Sequence, residues 1–166
     1  MKIIRPMELT TEDERRFLVK RMPQNYWQNA SSAEITQWYI CFDPPIRVRT
    51  EGFHDCYLTI KIADESGKDF HLEGNIPKFA LPGLATILKG NTIRKIRYHI
   101  SNLDLDIFYA ELTGLVIIEF EKKSGNDIPK IPLNFSVEEV TGDPRFRNHN
   151  LTKLNSIPKE WECKII

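Results

Sequence analysis

Charged side chains recur in this sequence two positions apart with an apolar residue between them, in segment after segment. Arg47 and Arg49 enclose Val48, Lys95 and Arg97 enclose Ile96, Asp104 and Asp106 enclose Leu105, Glu119 and Glu121 enclose Phe120, and His71 and Glu73 enclose Leu72. Glu12, Glu14 and Arg16 keep the same spacing, and Lys61 lies between Ile60 and Ile62. Side chains alternate across a strand, so each of these segments reads as a strand with one charged and one apolar face. A period of two sustained this long leaves a mainly β (α+β) chain with a few helices.

The alternation predicts strands over 12–20, 34–42, 46–50, 55–62, 70–75, 93–99, 103–109, 115–122 and 136–140. Asp43-Pro44-Pro45, Glu51-Gly52, Ser66-Gly67, Thr113-Gly114 and Ser124-Gly125-Asn126 supply the turns of an antiparallel meander. Two helices are expected, over 78–88 after Pro77 and over 147–154 before Pro158. Phe79, Leu81, Leu84 and Leu88 form the packing stripe of the first, with Pro82 and Gly83 placing a kink or boundary early in it. At 166 residues, without repeats or a low-complexity linker, the chain is expected to form a single domain over 1–166.

Lys and Arg total 23 and so do Asp and Glu, which removes the one-signed field of a nucleic-acid or acidic-membrane binder. No apolar run approaches the ~18 residues of a membrane span, and the opening residues carry no apolar signal core, so a cytoplasmic protein is expected. Cys41, Cys56 and Cys163 lack both disulfide pairing logic and zinc-ligand spacing. Trp27, Trp38 and Trp161 read as packing residues, and Gly114, Gly125 and Gly142 belong to no phosphate-cradling glycine motif.

An ordinary sheet with one wet face accounts for any single strand of this kind. A closed sheet with its charged face inward would instead collect the whole set in one lumen. Such a mixture suits a polyphosphate: Arg and Lys clamp its oxygens, while carboxylates hold a divalent cation that bridges the phosphates to the protein.

The segments also resemble, in order, the motifs of the CYTH superfamily, the triphosphate tunnel metalloenzymes. Glu12-Asp13-Glu14-Arg15-Arg16-Phe17-Leu18-Val19 is similar to the ExExK signature and its FLV tail, Ile46-Arg47-Val48-Arg49 to the RxR strand, and Tyr57-Leu58-Thr59-Ile60-Lys61 to the LTIK strand. Lys95-Ile96-Arg97-Tyr98 matches KxRY, Asp106-Ile107-Phe108 matches VDxF, and Gly114-Leu115 through Glu119-Phe120-Glu121 resembles GL...ExE. Glu139-Val140-Thr141-Gly142-Asp143 with Arg145 and Asn148 resembles the closing EVTGD element. Singly these motifs are weak; in this order, on alternating strands, they are strong. The chain departs from the pattern at Arg16, where the signature has lysine, and at Asp69 and His71, where an RxExE pattern keeps only Glu73.

The resemblance implies a closed antiparallel eight-stranded tunnel with a charged lumen, Mg2+ or Mn2+ as cofactor, and a small-molecule triphosphate or polyphosphate as substrate, in a monomer or homodimer. Arg16, Arg47, Arg49, Lys61, Lys95, Arg97 and Arg145 are expected at phosphate oxygens, and Glu12, Glu14, Asp106, Glu119 and Glu121 at the metal or its waters. Glu14, Lys61 and Arg97 are the expected catalytic residues. The expected reaction is in-line attack of water on a terminal phosphorus; an adenylate cyclase of the same fold and a non-catalytic phosphate- or nucleotide-binding module are the alternatives. His71 reads either as a general base or as a polar lumen residue, and His54, His99 and His149 as surface or loop residues.

Overall fold

The computed structural model describes residues 7–166 apart from 12, 53–54, 66–68, 78, 80, 88–89 and 123–126, and at 11, 63, 69, 84, 85 and 87 it describes the backbone alone. Glu12, His54, Leu88 and Gly125 therefore lie outside the described residues. The strands are β1 (Glu8–Thr11), β2 (Glu14–Met22), β3 (Ser31–Phe42), β4 (Pro45–Glu51), β5 (Asp55–Ala63) and β6 (Asp69–Asn75), followed by the helix α1 (Leu81–Ile87). Then come β7 (Thr92–Ile100), β8 (Leu103–Phe108), β9 (Val116–Glu121), β10 (Ser136–Glu139), the single-turn helix α2 (Asn148–Leu151) and β11 (Lys164–Ile165). All nine strands read from the alternation are present, with ends shifted by up to three residues.

Two features of the expected tunnel are corrected. The described residues form eleven strands rather than eight, because the short β1 and β11 add to the nine. The hydrogen-bonded ladder is also open: β1 pairs only with β6 and β10 only with β2 among the described residues. Four-residue strands such as β1 and β10 are too short to offer a long free edge to a further strand, a common way of ending a sheet.

The chain divides into two compact units, Met1–Glu12 with Glu34–Ile93, and Asp13–Ala33 with Arg94–Ile166. In the first, the strand order is β1-β6-β5-β4-β3, and every pairing is antiparallel. The register stacks Tyr39 on Arg47, Arg47 on Thr59 and Thr59 on Glu73, with Gln37 on Arg49 and Lys61 on His71, so these residues share one face. Trp38, Val48 and Leu58 lie in register on the other. Phe79, expected in a packing stripe, is exposed, because the helix starts only at Leu81 and leaves it in the turn before.

The second unit runs β7-β8-β9-β2-β10, with β11 added parallel to the end of β2. Its apolar face carries Phe17, Val19, Met22, Leu103, Leu105, Val116, Ile118 and Phe120 in one buried cluster, against which Trp27 and Tyr98 pack. Trp161 is buried with its ring centroid 4.5 Å from that of Phe146. At Gly114 the backbone takes φ +96°, which glycine adopts without strain. No helix among the described residues is long and apolar enough to cross a membrane.

Candidate active site

On the second unit the charged residues emerge on the face opposite the apolar cluster, because the register sets Arg16 against Glu119, Glu119 against Asp104, and Arg97 against Asp106. Asp106 and Lys95 are both wholly buried, at 0% exposure. Lys95 Nζ donates to Asp106 Oδ2 and lies 3.8 Å from Glu119 Oε1. Arg97 grips both Asp106 oxygens, from Nε at 2.7 Å and Nη2 at 2.7 Å, in the bidentate arrangement its planar fork favours. Its Nη2 also donates to Glu119 Oε2, and its Nη1 donates to Asp104 Oδ2 at 3.0 Å.

Burial pushes the Lys95 ammonium below its ordinary value, against the pull of Asp106 and Glu119. Burial also opposes the charge on Arg97, yet Glu119 and Asp106 outweigh it and hold the guanidinium well above its ordinary range. Arg16 extends the network: Nε lies 2.5 Å from Glu14 Oε1, Nη2 3.6 Å from Glu119 Oε1, and Nη1 donates to the Phe146 carbonyl at 3.1 Å. A lysine has no fork that could reach three separate acceptors in this way, so the departure from the signature changes the geometry of the group.

The first unit carries a different arrangement. Arg47 is 7% exposed, its Nε has no hydrogen-bond partner, and its Nη1 lies 3.4 Å from Oε1 of Gln37. The Nε of Arg49 is likewise buried without a partner, while its Nη2 makes long contacts of 3.4 Å to Glu73 and 3.5 Å to Glu51. Glu73 is fixed from its other oxygen by the Thr59 hydroxyl, which donates to it at 2.7 Å. Lys61 shares this face, opposite His71.

Glu14, Arg16, Lys95, Arg97, Asp106 and Glu119 thus share one face of the second unit, while Arg47, Arg49 and Lys61 share one face of the first. Glu121 lies on the same face as Glu14, directly opposite it in the β2–β9 register, and is exposed. Arg145 stands apart from the network: it is 65% exposed, bonds Asp143 at 2.6 Å and lies over the rings of Phe146 and Trp161. Asp69 lies in β6 opposite Ala63. His99, read as a surface or loop residue, is exposed but sits within β7, where its Nδ1 lies 2.7 Å from Asp104.

Sequence reasoning gave no role to Asp104, Gln37, Thr59 or Glu73. Asp104 was visible in the alternation around Leu105, and Glu73 in the alternation around Leu72. Gln37 and Thr59 are neutral, so a search for alternating charge passes over them.

For a divalent cation, Glu14, Glu119 and Glu121 offer the hard oxygen donors that Mg2+ and Mn2+ take, whereas both oxygens of the enclosed Asp106 are held by Lys95 and Arg97. No group of three or more His, Cys, Asp or Glu side chains converges into a closed cage among the described residues. That set fits a cation bound by one or two carboxylates and completed by phosphate oxygens and water, the usual mode for Mg2+.

A curated inorganic triphosphatase from Acetivibrio thermocellus is 34% identical over 148 residues, covering 86% of this chain and 93% of that protein. The crystal structure of the inorganic triphosphatase NE1496 matches with a TM-score of 0.61 at 29% identity, covering 90% of this chain and 97% of that one. A second NE1496 crystal structure matches with a TM-score of 0.60 at 28% identity, covering 89% of this chain and 100% of that one. No family model matches the chain. A relative aligned over almost its whole length, together with the ordered motifs and the mainly antiparallel fold that carries them, establishes that the chain belongs to the CYTH superfamily.

Proposed function

We propose that this chain is a triphosphatase that hydrolyses inorganic tripolyphosphate or a small organic triphosphate. The observation that carries the reading is Arg47, a buried guanidinium with an unpartnered Nε and no carboxylate paired to it among the described residues. A buried charge is expensive unless it is paired, and a phosphate oxygen supplies that pairing. The name of the 34% identical relative, an inorganic triphosphatase, supports the same substrate class.

In this reading Arg47, Arg49 and Lys61 hold phosphate oxygens, joined by Arg16, Lys95 and Arg97 as their carboxylate contacts exchange for the ligand. Arg145 joins them once it leaves Asp143. Water attacks the terminal phosphorus in line as the bridging P–O bond opposite it breaks, releasing orthophosphate and the remaining diphosphate, with the water proton passing to a phosphate oxygen or solvent. The guanidinium and ammonium groups stabilise charge on the phosphoryl oxygens and the leaving group. Lys61 and Arg97 serve at the reacting phosphate, and Glu14 accepts a hydrogen bond from the attacking water. Glu12, Glu119 and Glu121, with Glu14, are the residues that would hold Mg2+ or Mn2+. A bound cation supplies positive charge along the phosphate chain. The whole chain 1–166 works as one functional domain, in the cytoplasm, as a monomer or homodimer.

The test is phosphate release from tripolyphosphate, thiamine triphosphate and ATP, each with magnesium and with manganese. Turnover of one substrate is expected, abolished in Glu14→Gln and Arg49→Ala with the fold intact. Binding without release would overturn the enzyme reading in favour of a receptor, and cyclic AMP with pyrophosphate from ATP would mark a cyclase.

A further inference from the structure

Three of the arginines on the charged faces lie against carboxylates: Arg16 against Glu14 and Glu119, Arg97 against Asp104, Asp106 and Glu119, and Arg49 against Glu51 and Glu73. Arg47 differs from them. Among the described residues its side-chain contact is with a neutral acceptor, Oε1 of Gln37 at 3.4 Å. Gln37 is itself 2% exposed, on β3 one residue from Trp38 and opposite Arg49 in register. Tyr39, directly opposite Arg47 and 2% exposed, flanks the same space.

A buried amide here is not a packing choice, since it is costly to bury and fills the volume no better than methionine. An amide oxygen gives a guanidinium a direction without giving it a counter-charge. A carboxylate in the same place would fix Arg47 more firmly but would neutralise it.

We infer that Gln37 is a positioning residue that orients the Arg47 guanidinium while leaving its full charge available to a bound polyphosphate. The inference rests on the triphosphatase reading and identifies how this part of the site favours a multiply charged anion.

The test compares wild type, Gln37→Glu and Gln37→Met by titration with tripolyphosphate in magnesium and by steady-state phosphate release. Gln37→Glu keeps the shape and adds the charge, so KM and Kd should rise at least about tenfold with kcat within about threefold. Gln37→Met removes the acceptor together with the amide N–H group, adds no charge, and should raise KM a few-fold. A role in packing alone would leave KM and Kd unchanged in Gln37→Met, which fills the same volume. The salt dependence of binding should also flatten in Gln37→Glu, because one effective charge has been removed. Wild type that neither binds nor hydrolyses tripolyphosphate overturns the triphosphatase reading and this inference together. Active wild type with Gln37→Glu inside twofold overturns the role of Gln37 alone. Should Gln37→Glu fail to unfold cooperatively, Gln37→Met decides, and an unchanged KM overturns the inference.

Discussion

Replacing Asp106 by asparagine isolates the most buried charge contact among the described residues. The carboxylate accepts from Lys95 Nζ and, at 2.7 Å each, from Nε and Nη2 of Arg97, with both Asp106 and Lys95 fully enclosed. An asparagine keeps the shape but loses the charge, and its amide group turns a donor toward groups that are themselves donors. Lys95 is then left with Glu119 at 3.8 Å as its remaining counter-charge. Breaking a buried ion pair from one side costs about 3–5 kcal/mol. For a chain of this length that corresponds to a fall in Tm of roughly 6–20 °C.

Urea unfolding followed by tryptophan fluorescence would measure the loss directly. The companion double variant Lys95→Met with Asp106→Leu removes both charges together and should cost less than the two single changes added, with a coupling of about 1–3 kcal/mol. A single-variant loss under about 1 kcal/mol, or strict additivity in the double, would refute the view that this contact is a desolvated pair.

Three further outcomes are expected. Gly114→Ala places a Cβ 3.2 Å from Ile157 and 3.3 Å from Glu162 at a φ of +96°, and should cost about 1–2 kcal/mol in chemical unfolding. Hydrogen bonds from Arg15 and then Thr141 pull the Glu139 carboxyl from 4.5 to about 2, so its contribution is complete above pH 4.5 and disappears as the pH falls through about 2. Since both side chains of that pair are more than a third exposed, the stability gap between wild type and Glu139→Gln should stay under about 1 kcal/mol and close across that window in pH-dependent unfolding. Burial lifts the Cys163 thiol to about 11, so its alkylation, followed by peptide mass mapping, should be very slow at pH 8 and accelerate steeply toward pH 10.

The strands were readable because the chain repeats one physical constraint, charge on one face and apolar packing on the other, through β2, β4, β5, β7, β8 and β9. The two strands that escaped, β1 and β11, are too short for alternation to register, and their existence depends on partners far along the chain. The sharing of one face by Arg16, Lys95, Arg97, Asp106 and Glu119 could be foreseen from parity alone. Which cation takes which carboxylate could not, because it is decided by reach and by competition among neighbours two or three strands apart. Arg145 shows the limit of motif reading: Asp143, two residues away, offers it a carboxylate at 2.6 Å, a local contact that spacing to the other basic strands does not reveal. Gln37 shows the opposite failure, since its importance comes from burial beside a cation rather than from any charge of its own.

The position of β2 has a consequence for how the chain is made. It pairs with β9 along Glu14–Leu18 and with β10 along Phe17–Arg21, partners that lie roughly a hundred residues or more downstream. During synthesis at about 5–20 residues per second, the segment carrying Phe17, Leu18 and Val19 waits on the order of 5–20 s before a ladder partner leaves the ribosome. Through that interval an apolar strand with high pairing capacity is unsatisfied on both edges, the condition under which nascent chains associate with one another. Productive folding of the second unit therefore waits on the emergence of β9 and β10, and yield in a cell should respond to translation rate and to holding chaperones.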